Sequence, residues 1–311
     1  MRIILAAPRG FCAGVNMAIE SLRLALEAFG APVYVYHEIV HNRWVVQQFC
    51  REGAVFVESL NDVPEGSYLM YSAHGVAPEV RQTAAARRLR TIDATCPLVT
   101  KVHLEAIRYA KQGYTIVLVG HAGHDEVLGT MGEVPRAMVL VESVDDVDRL
   151  EIVDTQRLAY LTQTTLSVDD AAAIIGRLKG RFPQIVGPPK DDICYATQNR
   201  QEAVRELAGV ADVVLVVGSQ NSSNSRRLSE LAESRSVQAH LIDCSADIDL
   251  AWFRPTDTVV VTAGASAPEG VVQDCVSLLL THFPGAVESR TLRHEQVRFP
   301  LPKEVRGKND E

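Results

Sequence analysis

The sequence has little of what marks several common classes of protein. Aromatic residues fill only 6% of its 311 positions, and apolar runs such as 213–217 are far shorter than a membrane span of ~18 residues. Positive charge is not in excess: 31 Lys and Arg stand against 39 Asp and Glu, a formal charge of −8. An acidic chain has no phosphate-neutralising footprint, which argues against nucleic acid as a partner. The six cysteines form no C-x-x-C pair, so zinc-ribbon and ferredoxin spacings are excluded, and six are too few for a disulfide scaffold. No Walker A sequence occurs, nor a G-x-G-x-x-G after the first apolar run, so nucleotide cofactors are unsupported. The opening apolar run stops at Arg9, too short for a signal peptide, and a soluble cytoplasmic protein without membrane attachment is expected. The length suggests about two domains, or three.

What is present is a regular alternation. β-branched apolar runs predict strands at 2–7, 32–36, 54–57, 67–72, 91–94, 114–119, 137–141, 157–162, 211–217, 238–242 and 257–263. Helical periods fit between them at 15–29, 42–51, 78–89, 98–112, 167–180, 197–208, 225–235 and 268–282. Gly30, Gly53 and Gly113 stand where left-handed caps end three of these helices. Strands apolar on both faces, alternating with helices, predict a parallel α/β fold. Such sheets bind ligands beyond the carboxyl ends of their strands, so the strand-end loops are where chemistry is expected.

Those loops keep a rhythm. His41 lies 29 residues after Cys12, and His74 lies 62 after it. His124 and Thr164 follow Cys96 by 28 and 68 residues, and Ser222 and Ser266 follow Cys194 by 28 and 72. Each third of the chain reads cysteine loop, polar loop, polar loop: a topological repeat with little shared sequence.

Cys12, Cys96 and Cys194 each precede a helix, where exposed N–H groups and the helix dipole favour thiolate. Cys50 and Cys275 ride apolar helix faces and read as small buried hydrophobes, and Cys244 has no assigned role. Three thiolates, one per third, suit a cysteine-rich zinc site or an iron–sulfur cluster with one iron left open. His41, His74 and His124, with Ser222, Ser223, Asn224 and Ser266, supply donors for a small, highly anionic ligand such as diphosphate. The plainer reading of 221–225 is a polar turn capping a helix. His124 and Glu126, in what reads as a loop, form a proton-delivery pair, against the plainer reading of a solvated acidic loop. Two other motifs fail. Pro268 stands where a nucleophile elbow needs glycine, and no P-C-x-x-C follows His124-x-Glu126 as zinc deaminases require. A zinc hydrolase built on the histidines and Glu126, and a non-catalytic diphosphate-binding module, remain open on these residues.

Taken together and in order, the loops carry a resemblance. They are Arg9-Gly10-Phe11-Cys12-Ala13-Gly14, Glu38-Ile39-Val40-His41-Asn42, Ser72-Ala73-His74-Gly75 and Asp93-Ala94-Thr95-Cys96-Pro97. They continue with Gly123-His124-Asp125-Glu126, Thr162-Gln163-Thr164-Thr165, Asp192-Ile193-Cys194-Tyr195-Ala196-Thr197, Ser222-Ser223-Asn224-Ser225 and Ala263-Gly264-Ala265-Ser266-Ala267-Pro268. From Arg9 to about residue 282 the chain resembles the 4-hydroxy-3-methylbut-2-enyl diphosphate reductase family. The resemblance implies three pseudo-symmetric α/β lobes, each a small parallel sheet flanked by helices, around a central cavity. They would span 14–96, 97–193, and 1–13 with 194–282, followed by a C-terminal tail over 283–311. It also implies a [4Fe–4S] cluster on Cys12, Cys96 and Cys194, with one open iron for the substrate hydroxyl. His41, His74, His124, Thr164, Ser222, Ser223, Asn224 and Ser266 would bind the allylic diphosphate substrate. Glu126 would deliver protons with help from His124, while Thr164 steadies the reacting end. The implied reaction is reductive dehydroxylation to isopentenyl and dimethylallyl diphosphate, with electrons from a donor such as flavodoxin or ferredoxin.

Overall fold

Each expected β-branched run becomes a strand in the computed structural model, which describes residues 1–306. The strands are β1 (Arg2–Ala7), β2 (Val33–Tyr36), β3 (Ala54–Val57), β4 (Tyr68–Tyr71), β5 (Arg90–Asp93) and β6 (Thr115–Val119). They continue as β7 (Met138–Val141), β8 (Leu158–Thr162), β9 (Val213–Val217), β10 (Gln238–Ile242), β11 (Thr258–Ala263) and β12 (Ala286–Thr291). The helices are α1 (Ala13–Phe29), α2 (Arg43–Glu52), α3 (Pro78–Ala86), α4 (Pro97–Lys111) and α5 (Asp125–Glu133). After them come α6 (Val144–Arg149), α7 (Val168–Arg181), α8 (Tyr195–Leu207), α9 (Ser223–Ser234) and α10 (Glu269–His282). The glycines expected to end α1, α2 and α4 adopt φ of +75°, +101° and +79°. No described helix is long and apolar enough to cross a membrane.

The chain divides into two compact units. The first comprises Met1–Asn16, Val40–Gln48 and Tyr195–Arg298. It holds one parallel sheet in the order β10-β9-β11-β1-β12. Successive side chains of a strand point to opposite faces, and here both faces are covered. Ile3, Leu5, Leu215 and Val261 fill one side, in one cluster with Val272, Cys275 and Leu279 of α10. Ile4, Val214, Val216 and Val260 pack on the other side with Val204 of α8 and Leu228 of α9.

The second unit comprises Met17–Ile39, Phe49–Cys194 and the chain from Phe299. It holds two parallel sheets, ordered β3-β2-β4-β5 and β7-β6-β8. A single parallel bridge between Ala159 and Val186 extends the second of these beyond β8.

One threading therefore recurs three times. In β3-β2-β4, β7-β6-β8 and β10-β9-β11 the chain leaves the middle strand to one side, then returns on the other. A further strand or bridge, at β5, Val186 and β1, flanks the returning strand. Connections diverge at β2/β4, β6/β8 and β9/β11, the switch points where parallel sheets bind ligands. The polar loops follow those strand pairs, and each cysteine follows the flanking strand or bridge. This is the structural origin of the sequence rhythm.

Three elements are not legible in the sequence. Helices α5 and α6 form where loop is expected, and β12 lies inside the segment expected to be a C-terminal tail, where it pairs with β1. β12 is exposed along its whole length and carries Glu288 and Arg290, so it shows no apolar alternation. Positions 307–311 of that expected tail lie outside the described residues.

Candidate active site

In the first unit, the Cys12 loop is pinned from behind. The Cys12 N–H donates to the Ala265 carbonyl at 3.2 Å, and its own carbonyl accepts from Asn16 at 2.9 Å as α1 begins. The Ala13 N–H donates to the Tyr195 hydroxyl at 3.3 Å. Arg200, fully buried in α8, donates from Nε and Nη2 to the Gly10 carbonyl at 3.2 and 2.6 Å. Its Nη1 also pairs with Glu295 at 3.0 Å. Neither Arg200 nor Glu295 is legible as a site residue, since a lone arginine in a helical period reads as a solvent-facing charge.

The residues of this unit expected to bind an anion are laced together. Ser266 Oγ donates to the His41 carbonyl at 2.8 Å, and the Arg43 N–H donates to Ser219 Oγ at 3.0 Å. Ser222 is the N-cap of α9 and accepts from the Ser225 N–H at 3.4 Å. The capping reading of this run is thus correct for Ser222, while Ser223 and Asn224 occupy the first helical turn. There the helix N–H groups and dipole favour an anion. Asn224 is buried, and its Oδ1 finds no hydrogen-bond partner among the described residues.

In the second unit, Cys96 and Cys194 are held as Cys12 is. The Cys96 N–H donates to the Ala73 carbonyl at 2.9 Å and the Cys194 N–H to the Thr164 carbonyl at 3.1 Å. Cys96 caps α4 and Cys194 immediately precedes α8. Each cysteine thus stands at a helix start, its main chain tied to the polar loop after the neighbouring strand.

His74 lies beside Gly75, whose φ of +76° and tight surroundings favour glycine: a Cβ there would meet Thr95, His103 and Val99 at 3.1–3.3 Å. The His74 and His124 rings meet edge to face with centroids 6.0 Å apart. Residues 125 and 126, expected in a loop, instead open α5, with His124 as its N-cap. His124 Nδ1 accepts from the Glu126 N–H at 3.1 Å, so the neutral ring carries its proton on Nε2. Glu126 is only 5% exposed, and Thr164 grips it. Thr164 Oγ1 lies 2.9 Å from both carboxylate oxygens and its N–H donates to Oε2 at 3.0 Å. A buried carboxylate is thereby held by a hydroxyl that retains acceptor capacity.

Two expectations about thiols change. All six cysteines are thiols, but burial raises the pKa of Cys12. The Val15 and Gly14 N–H groups and the charge of Arg200 lower it, as a helix start should, without overcoming desolvation. Cys50 is exposed, because the buried face of α2 runs through Val45 and Phe49 and ends one position short of it. Cys275 is fully buried as expected, and desolvation pushes its thiol up to about 12.

The model of the LytB protein family matches residues 3–280. A 4-hydroxy-3-methylbut-2-enyl diphosphate reductase from Rhodopirellula baltica is 63% identical over 307 residues, covering 99% of this chain and 96% of its own. The reductase of the same name from Serratia proteamaculans is 56% identical over 310 residues, 98% of each chain. Among solved structures, the E-1-hydroxy-2-methyl-but-2-enyl-4-diphosphate reductase of Plasmodium falciparum is similar with a TM-score of 0.95 at 42% identity. That likeness covers 98% of this chain and 96% of the other.

Proposed function

The chain belongs to the LytB protein family, and on that premise we propose that it reduces 4-hydroxy-3-methylbut-2-enyl diphosphate to isopentenyl and dimethylallyl diphosphate. It is an oxidoreductase. The reaction takes two electrons and two protons, breaks the allylic C–O bond and releases water. The observation that carries the reading is the buried Glu126 carboxylate held by Thr164 beside His124.

Cys12, Cys96 and Cys194 are the proposed ligands of a [4Fe–4S] cluster. Their chemistry fits: three thiols, each at an α-helix start and each tied through its N–H to a neighbouring loop, with no fourth cysteine in an equivalent place. When bound, such a cluster supplies the electrons and a Lewis-acidic iron for the hydroxyl group. The chain's own residues do the rest. His41, His74, Ser222, Ser223, Asn224 and Ser266 bind the diphosphate through neutral and charged donors and the start of α9. When Glu126 is protonated it donates to Thr164 Oγ1, and the Thr164 hydroxyl donates in turn to the departing oxygen, so the proton held on Glu126 reaches that oxygen through Thr164. The Nε2–H of His124 steadies the same end. Flavodoxin or ferredoxin is the proposed class of electron donor.

The test is anaerobic reconstitution, followed by iron and sulfide analysis and turnover with a chemical reductant. Serine variants of Cys12, Cys96 and Cys194 should each lose most of the bound iron and visible absorption, while Cys50→Ser and Cys275→Ser keep both. Zinc without sulfide in the active protein, or a bleached but folded Cys275→Ser variant, would overturn the assignment.

A further inference from the structure

His37 is a non-glycine residue with a left-handed φ of +57°. Such backbone is uncommon for a residue with a large side chain and persists where surrounding interactions hold it. It directly follows β2, and its N–H donates to the Val57 carbonyl at 2.9 Å. Its ring stacks on Tyr36 with centroids 4.0 Å apart. The twist directs the ring at Asp125: Nδ1 lies 2.7 Å from Oδ1, while Nε2 faces Glu58 at 3.6 Å. The other carboxylate oxygen of Asp125 lies 3.8 Å from His74 Nδ1, beyond hydrogen-bond distance and an ion pair when that ring is protonated. Ser72 Oγ stands 3.3 Å from that same nitrogen. Two groups thus address Nδ1 of His74, and one of them is held by His37.

We infer that Asp125, clamped by His37, is a positioning residue that fixes the His74 ring for diphosphate binding. The inference rests on the proposed role of His74 as a diphosphate ligand. The bond from Asp125 raises the His37 pKa, so the clamp is a charged pair over more of the neutral range than a histidine of ordinary pKa would allow. Sequence alone pairs neither residue with the other, since 88 positions separate them and neither follows the cysteine rhythm.

The experiment uses the reconstituted holoenzyme and inorganic diphosphate as the binding probe. Asp125→Asn and His37→Gly should each raise KM and the diphosphate Kd about tenfold, the lower range for losing a supporting partner, with kcat within twofold. Glycine tolerates the left-handed backbone, so His37→Gly removes the ring without adding strain. His37→Asn should restore near-parental KM, because its amide nitrogen occupies the place of Nδ1. The double variant Asp125→Asn/His37→Gly should be no worse than either single one. His74→Ala is the reference. If it weakens diphosphate binding while Asp125→Asn and His37→Gly do not, the clamp is wrong. The clamp is equally wrong if kcat falls with KM unchanged, because Asp125 then acts on α5 and Glu126. If His74→Ala leaves diphosphate affinity unchanged, the underlying reading of His74 fails instead.

Discussion

The acid role proposed for Glu126 depends on Thr164, which holds its nearly buried carboxyl group in a fixed direction. Glu126→Gln preserves shape and hydrogen-bonding capacity but cannot relay a proton. Iron content and substrate affinity should stay near parental, while kcat falls about 10²-fold or more, the effect expected for loss of general acid catalysis. Substrate should then remain bound with its hydroxyl group intact, as single-turnover product analysis would reveal. Turnover at the parental rate would move proton delivery to His124. At this scale the sequence is informative, because histidine, cysteine and glutamate declare their chemistry in the side chain. Arg200 does not, because nothing local distinguishes a guanidinium that binds Gly10 and Glu295 from one that faces solvent.

Helix α5 shows what the element scale adds. Its sequence, DEVLGTMGE, contains two glycines, each costing about 1 kcal/mol relative to alanine in a helix interior, so local propensity predicts no helix there. Packing and capping hold it. His124 caps the first turn, Asp125 and Glu126 complement the dipole, and Gly132 lies where a side chain would collide with Ala77. Gly129 sits close to the buried His103 of α4, whose Nδ1 is 3.0 Å from Glu133 Oε1. Desolvation lowers the His103 pKa despite the attraction of Glu133. The folded protein therefore keeps His103 neutral while the unfolded chain takes up a proton near its ordinary value of ~6.5. Stability contributed by this residue is present above that pH and is lost as pH falls from there toward the lowered folded pKa. Urea unfolding midpoints should decline between about pH 7 and 5.5, and His103→Gln should remove part of that decline. An identical pH slope in the variant would mean that other groups account for it.

The whole molecule uses one threading three times, and Arg200 shows how distant segments are joined within a unit. It links α8 to Gly10 across 190 positions of sequence and to Glu295 across 95. Arg200→Met fills similar volume but strands the Glu295 carboxylate and the Gly10 carbonyl. Stability should fall by roughly 3–5 kcal/mol, the cost of breaking a buried ion pair, with a lower thermal midpoint as the readout. A midpoint indistinguishable from the parent's would show that water replaces the guanidinium. Sequence by itself determined the parallel α/β class, eleven of the strands and the gathering of the candidate site residues just after the strands. These follow from side-chain periodicity and functional groups, which are local properties. Only the tertiary structure decided the strand order, the helical start at Asp125, the exposure of Cys50, and the pairing of His37 with Asp125 and Arg200 with Glu295. Those depend on which strands become neighbours and on how far each group is withdrawn from water, and neither is written in the spacing of residues along the chain.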